Sequence, residues 1–279
     1  MKILITGAAG QLGSDLTRVL QADHELFALS KTELNVVDAD QVFAAVHHAR
    51  PEVILHAAAY TKVDLAETDS EMAYRVNAIG TRNVAVAAQT VKAKMVYIST
   101  DYVFDGHKGE PYHEFDETSP LNIYGRSKLA GEQFVKAFSD TFFIVRTSWL
   151  YGRNGSNYVN NMIARSLGQE PVSAACDQVG SPTYTLDLAV FIGHLIRTKK
   201  YGCYHVSNSG CCSRYDFTKE IFQAIHMNHI ILHPVRAVDF NLPAARPLNS
   251  ALDSLAIRLN GLPVLRDWKS ALHAYVNTL

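Results

Sequence analysis

The chain opens with a strand, a glycine-rich turn and a helix, in the order that builds an anion cradle. Met1-Lys-Ile-Leu-Ile-Thr6 is an apolar run with β-branched residues, and Gly7-Ala-Ala-Gly10-Gln-Leu-Gly13 follows it. Asp15-Leu16-Thr-Arg-Val19-Leu20 then takes up helical periodicity. The early glycines permit a tight turn, Gly10 lets the backbone approach a pyrophosphate, and Gly13 allows the helix to pack closely on the strand. The helix N-terminus faces the anion. The plain alternative is an ordinary glycine-rich turn; the flanking strand and helix argue against it.

A second strand, Glu25-Leu-Phe-Ala-Leu-Ser30, ends in Ser30-Lys31-Thr32. An acid at that tip would bond a ribose 2′-hydroxyl and repel a 2′-phosphate. None stands there, although Glu33 is close behind. Lys31 suits the phosphate, which favours NADPH with NADH also usable; Lys31 equally fits a solvated loop charge.

Strands and helices alternate beyond this point. Asp40 to Ala49 reads as a helix closed by Arg50-Pro51, and Glu52-Val-Ile-Leu-His56 as a buried strand running into Ala57-Ala-Ala-Tyr60. Met72 to Val91 carries one long helical pattern. Lys94-Met-Val-Tyr-Ile-Ser99 is a strand, Leu121 to Phe138 a helix, and Thr141 to Arg146 a strand. Such repetition with buried strands implies a parallel, doubly wound α/β sheet. After Thr147 the pattern loosens, with a helix at Thr185–Thr198 and a short strand at Tyr204–Ser207. The expected organisation is a Rossmann-type dinucleotide-binding domain over 1–148, with 178–210 packing back onto it. A smaller, discontinuous C-terminal substrate-binding domain takes 149–177 and 211–279.

At 279 residues with a formal net charge of −1, the chain has the size for this and no nucleic-acid surface. No apolar run reaches membrane-spanning length. Met1 already begins the first strand, leaving no room for a signal peptide. The four cysteines lack zinc-ligand spacing and read as reduced thiols of a cytoplasmic protein.

The chemistry sits in Ser99-Thr100-Asp101-Tyr102 and in Tyr124-Gly-Arg-Ser-Lys128. Tyr124 and Lys128 are spaced i, i+4 and share a helix face. A cation there favours the phenolate, so Lys128 is expected to acidify Tyr124 into a proton donor for ketone reduction. Alone the spacing is common on solvated helix faces; the nucleotide-binding start gives it weight.

Gly7-x-x-Gly10-x-x-Gly13, Ala57-Ala-Ala-Tyr60, Asn77, Ser99-Thr100-Asp101-Tyr102-Val-Phe-Asp-Gly106 and Tyr124-x-x-x-Lys128 together resemble the extended short-chain dehydrogenase/reductases. Ser119-Pro-Leu-Asn-Ile-Tyr124-Gly, Arg146-Thr-Ser-Trp149-Leu-Tyr151, Asp177-Gln-Val-Gly-Ser-Pro-Thr183 and Arg246-Pro-Leu-Asn-Ser250 narrow the resemblance to the dTDP-4-dehydrorhamnose reductases. The resemblance implies reduction, by NADPH or NADH, of the 4-keto group of dTDP-6-deoxy-L-lyxo-4-hexulose to dTDP-L-rhamnose, for cell-surface polysaccharide. It makes Thr100, Tyr124 and Lys128 catalytic. It assigns Gly7, Gly10, Gln11, Leu12 and Gly13 to the cofactor diphosphate, Lys31 and Asp38 to the adenosine end, and Ala58, Ala59 and Tyr60 to the nicotinamide side.

Thr100, Asp101, Trp149 and Arg246 match substrate-contacting positions. Read by themselves, Asp38 is an ordinary helix cap, Trp149 a packing residue, and Arg246 a partner for an acid. The implied partner is a small nucleotide-sugar, with no nucleic acid and no membrane, in a monomer or homodimer. Some relatives hold magnesium at a dimer contact through glutamates. Asp15, Thr185-Leu186-Asp187 and Arg266-Asp267-Trp268 do not supply a full carboxylate set, so no metal is expected.

Three readings remain open at this stage. Epimerases of the same superfamily recycle their cofactor. Dehydratases pair the threonine with an aspartate and a glutamate, whereas Tyr102 follows Asp101 here. A non-catalytic regulatory subunit on this fold would not need Thr100, Tyr124 and Lys128 together.

Overall fold

The computed structural model describes residues 1–168 and 170–279. Its first half runs β1 (Lys2–Thr6), α1 (Gln11–Leu20), β2 (Glu25–Leu29), α2 (Ala39–Ala49), β3 (Val53–His56), α3 (Val63–Thr68) and α4 (Ser70–Tyr74). A π-helical turn (Arg75–Gly80) leads into α5 (Thr81–Thr90), β4 (Lys94–Thr100), a 3₁₀ turn (Asp101–Val103), α6 (Ile123–Phe138) and β5 (Phe142–Thr147). The second half runs β6 (Leu150–Tyr151), α7 (Tyr158–Ser166), β7 (Val172–Ala175), β8 (Val179–Gly180), β9 (Thr183–Tyr184), α8 (Thr185–Leu195) and β10 (Gly202–His205). It closes with β11 (Cys212–Ser213), α9 (Arg214–Ala224), β12 (Leu232–Val235), a 3₁₀ turn (Ala237–Phe240), α10 (Leu255–Leu259) and α11 (Trp268–Val276).

Six strands form one sheet in the order β10-β5-β4-β3-β1-β2, every neighbouring pair parallel. This is the doubly wound α/β sheet expected from the alternating pattern. Side chains alternate across it as a strand requires. Ile3, Ile5, Val53, Leu55 and Val145 pack with α1 and α8 on one face. Leu4, Ile54, Met95, Tyr97 and Ile144 pack with α2, α5 and α6 on the other. The chain adds β2 on one side of β1 and then returns to add β3 on the other. That reversal opens a crevice at the carboxyl ends of β1 and β3, where this class of sheet binds ligands.

Short two-stranded pairings, β6–β9, β8–β11 and β7–β12, lie outside this sheet. They surround a separate core rich in aromatic rings, including Tyr151, Tyr184, Phe217, Trp268 and Tyr275. Among the described residues no helix is long and apolar enough to cross a membrane.

One element departs from the sequence pattern. Met72 to Val91 reads as a single helix, yet the structure inserts the π turn between α4 and α5. The extra residue turns the Asn77 side chain inward, where Oδ1 accepts from Tyr60 N (2.8 Å) and Nδ2 donates to Ser127 Oγ (3.0 Å). A hydrophobic period cannot report such a turn, because its cause lies in residues far away in sequence.

The seat of α6 is a buried ion pair. Arg146 of β5 donates twice to Glu132, through Nε (2.9 Å) and Nη2 (2.8 Å), while Ser99 Oγ of β4 donates to Glu132 Oε1 (2.6 Å). Glu132 is wholly buried and Arg146 nearly so. Removing one partner of such a pair leaves an uncompensated charge in the core. Glu132→Gln should therefore lower stability by about 3–5 kcal/mol in thermal or urea unfolding. Glu25→Gln, at the exposed Lys2–Glu25 contact of 3.7 Å, should cost less than about 1 kcal/mol. Equal effects of the two substitutions would contradict this account of the seat.

Candidate active site

The crevice has a volume of about 700 Å³ and is lined by Gly7, Gly10, Gln11, Leu12, Lys31, Ala58, Ala59, Tyr60, Thr100, Asp101, Tyr124, Lys128 and Trp149, among others. These are thirteen of the sixteen residues singled out from the sequence; Arg246 borders a separate cavity. Gly13 and Asp38 do not line it. Gly13 works from beneath, since a Cβ there would fall 2.2 Å from the Gly7 carbonyl oxygen. The Asp38 carboxylate caps α2, accepting from Gln41 N at 3.0 Å and from Gln41 Nε2 at 2.8 Å. That geometry is the cap which the residue suggests when read by itself.

The residues present fit a dinucleotide. Gly7 has φ of +68° and a Cβ there would meet Ala58 N at 2.7 Å, so only glycine makes this turn. Gly10 caps α1 without a side-chain hydrogen bond, and the first turn carries no acid. The first N–H groups of α1 are thus left for an anion. Gln11 Oε1, Tyr60 Oη and Thr147 Oγ1 are buried without a protein partner, and all three residues line the crevice. At its outer end Glu33 is turned back onto Ser30 N (2.8 Å), which keeps its carboxylate engaged beside Lys31.

A hydrogen-bonded chain fixes the wall opposite. Ala58 N donates to Thr6 Oγ1 (3.3 Å), Thr6 Oγ1 meets His56 Nδ1 (2.7 Å), His56 Nε2 meets Thr81 Oγ1 (3.1 Å), and Thr81 Oγ1 donates to Asn77 O (2.7 Å). One proton assignment satisfies every link: neutral imidazole, protonated on Nε2. Burial, with the Lys128 charge adding to it, pushes the His56 pKa down to about 3, in keeping with that tautomer.

Thr100 ends β4, and Tyr124 and Lys128 stand on successive turns of α6. Asn122 caps that helix by accepting from Gly125 N (2.8 Å). The Thr100 hydroxyl donates to Asp101 Oδ1 (3.0 Å) and accepts from Tyr102 N (3.1 Å). Asp101 is buried, with Ser250 Oγ donating to its other oxygen at 2.5 Å. Burial lifts its pKa to about 6 against the Ser250 and Thr100 hydrogen bonds. Asp101 therefore works through Thr100 as much as at the crevice surface.

Tyr124 and Lys128 both lie in a desolvated place. Burial raises the Tyr124 phenol above its ordinary value; the hydrogen bond with Thr100 opposes this, while Asp101 and Tyr102 add to it. Lys128 stands one turn further along α6. Its Nζ donates to the Ile98 carbonyl (2.6 Å) and lies 4.1 Å from the centre of the Tyr97 ring. Burial depresses the Lys128 pKa to about 7, with Glu132 acting the other way. The i, i+4 spacing puts both side chains on one helix face but does not aim the ammonium at the phenol.

Trp149 projects into the crevice from a backbone with φ of +47°, an unusual conformation for a bulky residue. Its ring lies against Gly180, where a Cβ would fall 2.4 Å from Cε2. Beyond Trp149 is a second cavity of about 590 Å³, bordered by Tyr102, Tyr158, Arg165, Gln178, Arg214 and Arg246. Arg246 is held there by Asp64, with Nη1–Oδ1 at 2.9 Å and Nη2–Oδ2 at 2.7 Å. Asp64 also accepts from Ala244 N (3.2 Å), so this pair ties α3 to the segment before β-bridged Leu252. Arg214 was not singled out from the sequence; no spacing marks it, and only the fold brings it against Trp149.

The whole chain, residues 1–279, matches the family model for the RmlD substrate binding domain. It is 40% identical over 276 residues to the spore coat polysaccharide biosynthesis protein SpsK of Bacillus subtilis (strain 168), covering 99% of this chain and 96% of that one. It is 37% identical over 284 residues to a dTDP-4-dehydrorhamnose reductase of Aggregatibacter actinomycetemcomitans, covering 97% of each. Among solved structures it resembles the dTDP-4-dehydrorhamnose reductase from Bacillus anthracis str. Ames in complex with NADP. That likeness has a TM-score of 0.97, 48% identity and full coverage of both chains.

Lys128 leads to a test by stability. Its pKa is about 7 in the fold and near its ordinary 10.5 in the unfolded chain. Between those values the unfolded chain holds more protons, so Lys128 makes stability rise with pH across that window. Lys128→Met should therefore gain thermal stability relative to wild type as pH falls from about 10.5 to 7, and then level off below 7. A pH-independent difference between the two melting curves, measured without cofactor, would show the lysine to be ordinarily solvated.

Proposed function

We infer, from the membership of this chain in the RmlD substrate binding domain family, that it is a nicotinamide-dependent reductase of a nucleotide-linked 4-keto sugar. The substrate is dTDP-4-dehydrorhamnose and the product dTDP-L-rhamnose, made in the cytoplasm as a precursor of cell-surface polysaccharide. Relatives of 37–40% identity named for this reductase or for polysaccharide biosynthesis support the reading. The observation that carries it is the convergence of Thr100, Tyr124 and Lys128 on the crevice that the glycine loop lines.

NADPH is the proposed reductant, held by the Gly7–Gly13 loop and the α1 N-terminus, with Lys31 near the 2′-phosphate and Lys128 toward the nicotinamide ribose. When bound, it supplies hydride to the sugar C4. Negative charge then builds on the C4 oxygen, and the protein answers that charge. Tyr124, kept protonated by its raised pKa, delivers its phenolic proton to the oxygen. An alkoxide is a stronger base than a phenolate, so the transfer runs downhill even from a weakened acid. The Thr100 hydroxyl, whose one proton goes to Asp101 beforehand, can turn it to the phenolate left behind. Lys128, whose pKa burial depresses to about 7 while Glu132 acts the other way, shares the helix face of Tyr124 and would reach the nicotinamide ribose from there. The absence of a glutamate after Asp101, where Tyr102 stands, removes the acid that a dehydratase would need.

NADPH oxidation against a panel of nucleotide-linked 4-keto-6-deoxy sugars, with the product sugar identified, tests the reading. dTDP-4-dehydrorhamnose should be the preferred substrate. Tyr124→Phe should lower turnover by on the order of 10²–10⁴ with cofactor affinity kept, and Thr100→Val should cost less. Near-normal turnover in Tyr124→Phe would remove the phenol from the proton-transfer step.

A further inference from the structure

The second cavity contains a cation that the protein itself leaves unanswered. The Arg214 guanidinium lies 3.5 Å from the centre of the Trp149 ring and 4.6 Å from that of Tyr158. These stacks are what hold it. Its side chain makes no hydrogen bond to any described residue, and Nη1 is shut off from solvent without a partner. The contrast with Arg246 in the same cavity is sharp, because Arg246 spends both terminal nitrogens on Asp64. The carboxylate whose charge acts on Arg214 is Asp101, and its two oxygens already take the Thr100 and Ser250 hydroxyls. No aspartate or glutamate stands among the described lining residues, while Arg165 adds a third cation at the rim.

A guanidinium out of water with its donors unused is costly unless an anion arrives. Its planar fork suits phosphate oxygens in pairs. The remaining walls, Val238, Phe240, Leu242 and Leu248, are apolar and offer a flat base or sugar something to cover. Arg214 of this cavity stacks on Trp149 of the crevice, so one ligand can have an anionic middle beside Arg214 and a sugar reaching Tyr124.

We propose that Arg214 is the anion-binding residue of the second cavity and grips the diphosphate of a nucleoside diphosphate-linked substrate, with Trp149 and Tyr158 holding its guanidinium in place. This deepens the sugar-nucleotide reading above and rests on it. On this account Arg214 sets affinity for the charged half of the substrate, while Trp149 couples that half to the reacting sugar. Nothing in the sequence pattern around Ser213-Arg214-Tyr215 announces the role; the stacking and the missing acceptor do.

The experiment is calorimetric titration of the NADP-loaded protein with dTDP and, separately, with thymidine. Wild type should bind dTDP at least about 10-fold more tightly than thymidine. Arg214→Gln should lose on the order of 10–100-fold for dTDP and little for thymidine, the scale of a charged hydrogen-bonded contact. Arg214→Lys, which keeps the charge without the fork, should fall between the two and guards against a folding defect in the glutamine variant. Neither ligand carries a ketone, so a chain that reduced no 4-keto sugar yet showed this pattern would keep the site and lose the proposed activity. Three results would overturn the proposal: unchanged dTDP affinity in Arg214→Gln, equal losses for both ligands, or a wild type indifferent to the diphosphate.

Discussion

The site depends on a buried carboxylate that never touches its surface. Tyr124, Lys128 and Glu132 follow one another at intervals of four along α6, so they share one helix face. Glu132, the innermost, is bound by Arg146 of β5 and Ser99 of β4. Those bonds set the rotation and the height of the helix against the sheet. One turn toward the crevice, Lys128 reaches the Ile98 carbonyl; one turn further, Tyr124 comes beside Thr100. The same network extends outward through Arg146 to His205 Nε2 (3.4 Å), and from His205 Nδ1 to Tyr112 O (2.9 Å). Burial, aided by the Arg146 charge, holds the His205 pKa down to about 3, so that ring stays neutral and the one charge pair remains balanced.

This arrangement separates two costs that a catalytic helix must meet. On the proposed roles, a tyrosine that gives up a proton and a lysine that faces a cofactor both lie in a desolvated place, where each charged form is disfavoured. The raised phenol pKa and the depressed ammonium pKa have that one cause in common. Stability is supplied from the Glu132–Arg146 end, where both charges are matched, and the crevice end is left with unused polarity. Gln11, Tyr60, Thr147 and Arg214 all carry buried polar atoms without protein partners.

Much of the sheet was legible because its strands are short, β-branched and apolar, separated by helical periods of ordinary length. The glycine loop was legible because φ of +68° at Gly7 and the close approach at Gly13 leave no other residue type possible. The meeting of Thr100, Tyr124 and Lys128 could be anticipated from helix spacing and a strand end. What escaped was whatever depends on direction in space. The π turn at Arg75–Gly80 exists for the contacts of Asn77 with Tyr60 and Ser127, which no local period encodes. The aim of Lys128 at Ile98 is likewise decided by a neighbour distant in sequence, and so is the choice of Asp64 as the acid that Arg246 pairs with. Glu132 was not singled out from the sequence, because its partners Arg146 and Ser99 come from strands β5 and β4.

The central claim is that one hydride passes from the cofactor to the sugar carbon while Tyr124 protonates the oxygen. The most direct measurement uses NADPH carrying deuterium on the transferable face of nicotinamide C4, with dTDP-4-dehydrorhamnose as substrate, and reads the product by mass spectrometry and NMR. The account predicts one deuterium at sugar C4 for each NADPH consumed. Product formed without that label, or turnover with no net consumption of NADPH, would contradict it.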